Sequence, residues 1–165
     1  MLSISAAAAT WFAPFVLPIC LYVCFTDMRE LRITNQANLA LLLVYAVVGA
    51  LVLPLDAYLW RYAHFGIALV AGMALNAGGI MGAGDAKFIA AAAPLIHVGD
   101  LRFLMALGAA VTLAAFIAHR IAKLTPLRRL APEWESWSSG KRFPMGVALG
   151  GTLAIYLIFG ILYGK

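Results

Sequence analysis

Apolar residues run along this chain in long blocks, and the polar positions gather in short breaks between them. The blocks are Ser5–Phe25, Asn38–Leu55, Tyr62–Ile80, Ala86–Val98, Leu101–Ala118 and Pro144–Tyr163. About 20 apolar residues are enough for a helix to cross a hydrocarbon core, so the pattern predicts six transmembrane helices joined mostly by short loops. The first block carries no charge, and no Lys or Arg precedes it. The basic start of a secretory signal peptide is therefore missing, and the segment is expected to remain as a helix. Pro14 and Pro18 should bend it, which neighbouring helices tolerate in lipid.

The fourth block is short. From Asp85 to Asp100 a helix would rise only about 22 Å, against a core of roughly 30 Å. Either the bilayer thins there, or Asp85 sits in a water-filled notch where irregular backbone is permitted. A re-entrant loop is the other way to read this stretch.

Composition removes soluble classes: of 165 residues, 64% are hydrophobic and 12% charged. That describes an integral membrane protein and leaves no length for a separate soluble domain, so residues 1–165 are read as one membrane domain. The basic residues orient it. Arg29, Arg32, Lys87, Arg120, Lys123, Arg128, Arg129, Lys141 and Arg142 fall in the first, third and fifth loops, whereas the opposite side holds Arg61, Arg102 and Lys165. This split of nine to three predicts both termini outside and the odd loops in the cytoplasm. A re-entrant fourth segment would reduce the split to seven against five, so six spans are preferred. The net charge of +5 is mostly this bias and calls for no nucleic-acid partner.

Two aspartates stand out. Asp27 ends the first apolar block, and Asp85 lies in Gly82-Ala83-Gly84-Asp85-Ala86-Lys87. An acid at bilayer depth costs roughly 2.5–3.5 kcal/mol on insertion scales, so each is a functional-site candidate, and the topology puts both on the cytoplasmic side. Gly82 and Gly84 permit φ > 0 and let another chain approach closely, which would suit an extended peptide. An ordinary glycine-rich turn is the plain alternative.

Three blocks carry a family resemblance: Asp27-Met28-Arg29-Glu30-Leu31-Arg32-Ile33-Thr34-Asn35, Gly82 to Lys87, and Phe143-Pro144-Met145-Gly146. In this order they resemble the Asp-x-Arg…Ile-x-Asn, GxGD-x-Lys and Pro-x-Gly elements of the prepilin peptidases, which are membrane aspartic proteases of the GxGD type. The order and the membrane topology match over essentially the whole chain. Thr34 stands where many members have Pro, and Met145 where Tyr is frequent. Larger members carry two cysteine pairs that bind zinc beside an N-methyltransferase activity. This chain has only Cys20 and Cys24 on an apolar helix, which read as packing residues.

The resemblance thus implies the short branch associated with Flp-type, tight-adherence pili, and an all-α polytopic fold. It implies Asp27 and Asp85 as the catalytic pair, cleaving the basic leader of a prepilin at the inner membrane. Gly82, Gly84, Lys87, Arg29, Asn35, Pro144 and Gly146 would bind substrate or support the pair. Lys87 is alternatively a topology anchor, being two positions from Asp85 and so off its helix face. Arg29 and Asn35 are alternatively plain interfacial residues.

A carboxylate dyad works with one ionised member taking a proton from water and a protonated member polarising the scissile carbonyl; such a pair titrates in split steps. The expected N-cap position of Asp85 favours charge there, and the C-terminal helix end at Asp27 disfavours it, which assigns Asp85 as the base. No cofactor or metal is expected, because His64, His97 and His119 are isolated from one another. Asp56 and Asp100 read as solvated loop residues. The basic loop of residues 120–143 interleaves Arg128, Arg129 and Arg142 with Trp134 and Trp137, which suits an anionic leaflet. Expected partners are thus a prepilin and anionic lipids, with a homodimer left open. The rival functions are a small proton- or cation-coupled transporter and a non-catalytic assembly subunit; neither the expected repeat nor midplane acids are seen.

Overall fold

A computed structural model of the chain describes residues 1–140 and 142–165; Lys141, counted above in the basic loop, lies outside them. Seven α-helices form the described structure: α1 Ala6–Glu30, α2 Asn35–Val52, α3 Leu55–Ala77, α4 Ala83–Ala92, α5 Leu101–Leu124, α6 Glu135–Ser138 and α7 Met145–Tyr163. Local chemistry sets the ends that matter for function. Ser5 Oγ accepts the Ala8 N–H at 3.2 Å to start α1, and Thr34 Oγ1 accepts the Ala37 N–H at 3.3 Å to start α2. The Thr at this position thus caps a helix, satisfying a donor that would otherwise be orphaned. Leu31 ends α1 at φ 49°, a left-handed conformation that turns the chain sharply into α2.

Helix α4 is the centre of the bundle. Its Ala86, Phe88, Ala90, Ala91 and Ala92 are buried, and it packs between α2, α3 and α7. Small side chains allow this: a Cβ on Gly72 of α3 would lie 2.9 Å from the Cβ of Ala86. The α4 chain continues through 3-10 turns at Ala93–Leu95 and Val98–Asp100, so that it passes from the Asp27 end of the molecule to the Ser3 end. Helices α1 and α7 form the closest pair. A Cβ on Gly150 would sit 3.0 Å from the Cys20 carbonyl oxygen, and one on Gly160 would sit 2.9 Å from the Ala9 Cβ. Without a hydrophobic drive between helices in lipid, such small-residue seams let dispersion hold them. Cys20 is buried in this seam, and both cysteines are free thiols.

Outside this core, large apolar side chains face outward, among them Trp11, Leu21, Leu51, Ile67, Met105 and Leu113. So extensive an apolar surface belongs in lipid. Among the described residues four helices qualify by length and apolarity as membrane spans: α1, α2, α7 and the stretch Val98–Leu124 containing α5. Six were expected. Helix α4 has only ten residues, and α3 carries Asp56, Arg61 and His64 in its first half.

The far end of the molecule also departs from expectation, because Asp100 is not a solvated loop residue. It is 3% exposed and accepts the backbone N–H groups of Ser3 at 2.6 Å and Ile4 at 2.9 Å, and the Tyr156 hydroxyl at 2.9 Å. Arg61, also buried, donates to the Pro94 carbonyl at 3.2 Å. Both acid and base are spent on pinning chain segments together.

Candidate active site

The C-terminal turn of α1 presents Asp27, and the first turn of α4 presents Asp85. Both carboxylates line one cavity of about 850 Å³, walled by the α1–α2 turn, the Gly79–Gly84 segment and the start of α7. It is the two elements' shared end that unites residues 58 positions apart.

Asp27 is 5% exposed. Its Oδ2 accepts the backbone N–H of Gly146 at 2.5 Å, a bond across 119 positions of sequence. Pro144 is the N-cap of α7, which places Gly146 in the first turn, where backbone N–H groups have no partner inside the helix. The glycine is required by space. A Cβ there would stand 2.8 Å from the Asp27 Cβ and 2.9 Å from its Cγ and Oδ2. The Pro-x-Gly element is therefore the seat of Asp27.

Asp85 is half-buried, and the N-cap of α4 is Gly82 rather than Asp85 itself. A Cβ on Gly82 would lie 2.8 Å from Asp85 Oδ2, so this glycine leaves room for the carboxylate. The first-turn position still complements negative charge. Yet the amino end of α7 does the same for Asp27, so the helix-end argument no longer separates a base from a proton-bearing partner.

The other expected residues divide. Gly82 has φ −66°, and Gly84 is within α4; neither uses the positive φ anticipated for them, which belongs to Gly79 at 72°. A Cβ on Gly84 would meet the Ile33 Cβ at 3.5 Å, ordinary packing of α4 onto the α1–α2 turn, and Gly84 also lines the cavity. Lys87 lines the cavity and donates to Asn35 Oδ1 at 3.1 Å, so Asn35 serves Lys87 and not Asp27. Arg29 does not line the cavity; its Nε is 3.5 Å from Glu30 Oε1 on the exposed side of the helix. Arg32 and Arg142 take the rim instead, which the sequence reading had not singled out. The cavity thus combines two carboxylates with the cationic side chains of Arg32, Lys87 and Arg142 in one lining.

The aromatic residues of the basic loop pack back on the protein. Trp137 stacks on His119 at 5.2 Å between ring centroids, and Trp134 meets Phe25 edge-on at 6.0 Å. Arg128 and Arg129 remain exposed. Among the described residues no cluster of three His, Cys, Asp or Glu side chains has the arrangement of a metal site.

The model of one protein family, described as the type IV leader peptidase family, matches residues 14–120. That is more than half of the chain and takes in both aspartates, while the Pro144–Gly146 element lies beyond it. No curated protein and no solved structure matches the chain.

Proposed function

The chain belongs to the type IV leader peptidase family, and on that premise we propose that it removes the basic leader of Flp-type prepilins at the cytoplasmic face of the inner membrane, with Asp27 and Asp85 as its catalytic pair. The observation that carries this reading is that the two acids line one cavity at one end of the bundle.

In that cavity the ionised carboxylate takes a proton from a water molecule, and the water oxygen attacks the scissile carbonyl carbon. The protonated carboxyl donates to the carbonyl oxygen as charge develops there. Collapse of the tetrahedral intermediate breaks the C–N bond. The leaving nitrogen receives a proton from the pair, which returns to its singly protonated state. Gly146 acts by fixing Asp27 through its N–H, and Gly82 by leaving the Asp85 carboxylate free to face the cavity.

The nine-to-three charge split supports a cytoplasmic site, and the lack of two cysteine pairs supports the short, non-methylating branch. A prepilin that rests its apolar segment in the bilayer presents its scissile bond at the interface, level with helix ends such as those of α1 and α4. The test is cleavage of prepilins from neighbouring genes by purified enzyme. Asp27→Asn and Asp85→Asn should each abolish cleavage while the protein still inserts and accumulates. Substantial residual cleavage by either variant refutes the pair.

A further inference from the structure

Asn38 stands one helical turn from Asn35 on α2, and it is 6% exposed. Neither its side-chain nitrogen nor its side-chain oxygen has a hydrogen-bond partner among the described residues. A buried amide without partners is costly anywhere and more so inside a membrane bundle, where water does not compensate. Few such groups persist without a role.

The residue lines a second cavity, of about 250 Å³, between α2, α3 and α4. Asn35, Asn38, Leu39 and Leu42 supply the α2 wall at the spacing of one helix face, and Phe65 and Leu69 supply the α3 wall. Lys87 and Ala91, four apart, form the α4 floor. Asn35 and Lys87 also line the cavity of the aspartates, so the two spaces adjoin at that pair. Helices α2 and α3 are pinned together elsewhere, where the Tyr45 hydroxyl donates to the Tyr58 carbonyl at 2.7 Å and that of Tyr58 donates to the Ala46 carbonyl at 3.0 Å.

Resting on the peptidase reading above, we propose that this cavity is the subsite for the membrane side of the substrate: it seats one large apolar side chain from the residues just after the scissile bond, while Asn38 hydrogen-bonds the N–H and C=O of one extended residue beside it. The chemistry selects this occupant. The complement of a carboxamide with both atoms unpaired is the N–H and C=O of one extended residue, a donor and an acceptor on the same side of the backbone. A carboxylate or an acyl chain would leave the Asn38 oxygen without a donor. The cavity volume suits one side chain, its walls are apolar away from the Asn35–Lys87 end, and that end opens toward the aspartates. A substrate lying in the bilayer thus reaches the pair between α2 and α3, its backbone paired before its bond is cut.

Asn38→Leu tests this, because it keeps the volume and removes both polar atoms. With a purified prepilin, KM should rise about tenfold for the lost pairing, with kcat little changed. The thermal midpoint of the variant in detergent should hold or rise, since an unpaired buried amide has been replaced by an apolar group. A purely structural Asn38 would instead lower the midpoint. A wild-type KM, or a raised KM accompanied by a lowered midpoint, overturns the subsite.

A second measurement uses a photoreactive amino acid at Leu69 in the Asp85→Asn background. It should capture the prepilin through its apolar segment; capture through the leader, or none, also overturns the proposal. If the wild-type enzyme cleaves no prepilin at all, it is the peptidase reading that fails, and the subsite falls with it.

Discussion

Replacing Gly146 by Ala probes the seat of Asp27 with the smallest possible change. The added Cβ would stand 2.8 Å from the Asp27 Cβ and 2.9 Å from its Cγ and Oδ2. Carbon atoms settle at about 3.5–4.0 Å, so Asp27 or the start of α7 must move by roughly 1 Å. A misplacement of about 1 Å can cost about 100-fold in rate when a reacting group depends on its position. Overpacking of this kind also costs about 1–3 kcal/mol of stability. The Gly146 N–H survives the substitution, so a loss reports geometry rather than a missing donor.

The assay is a cleavage time course of a prepilin in detergent, run beside thermal unfolding. Gly66→Ala provides the control, since nothing lies within 4 Å of a Cβ there. Gly150→Ala separates two causes. Its Cβ would meet the Cys20 carbonyl oxygen at 3.0 Å and Cys24 Sγ at 3.1 Å, so it strains the α1–α7 seam without touching Asp27. It should lower stability with less effect on rate than Gly146→Ala. A folded Gly146→Ala enzyme cleaving at the wild-type rate would refute the seating argument.

Other expectations follow from the same geometry. Gly82→Ala should lower kcat with little loss of stability, because its Cβ at 2.8 Å turns the Asp85 carboxylate aside, whereas Gly84→Ala, with ordinary contact to Ile33 at 3.5 Å, should stay near wild type; equal rates for the two would refute the separation. Activity should be bell-shaped in pH: in acid both carboxyls are protonated and no base remains, and in alkali both are ionised and no donor remains. A profile rising steadily into alkali would exclude a dyad sharing one proton. Reporter fusions after Arg29 and at Arg128 should read cytoplasm and a fusion at Lys165 the outside; a cytoplasmic reading at Lys165 would mean that Ala83–Asp100 does not complete a crossing.

The sequence made Asp27 and Asp85 visible because an acid bordering an apolar block is conspicuous without any tertiary information. The shortness of α4 was visible too, since rise per residue is a local quantity. What lay hidden depended on distant partners. Asp100 looks like any loop acid until Ser3, Ile4 and Tyr156 are brought to it. Arg29 and Asn35 were placed near Asp27 by sequence alone, yet helix geometry turned Arg29 to Glu30 and gave Asn35 to Lys87. The glycines misled for a related reason: Gly82 is needed for the space beside it rather than for its backbone angle, and Gly84 sits in ordinary packing contact. One signal was present unread, the four-residue spacing of Gly146 and Gly150, which marks the face of α7 that meets α1.

The bond from Gly146 to Asp27 has a consequence for how the enzyme comes into being. A ribosome delivers Asp27 early and Gly146 only 119 positions later, so through most of synthesis the first aspartate has no seat. The termini are laced at the other end, with the Leu2 N–H donating to the Tyr163 carbonyl at 2.8 Å and the Lys165 N–H to the Ile4 carbonyl at 3.1 Å. Insertion of the final helix therefore closes both ends together. A nascent chain arrested before α7 holds Asp27 without its Gly146 partner and the N-terminus without its C-terminal one, and the last helix completes both in one late step of biogenesis.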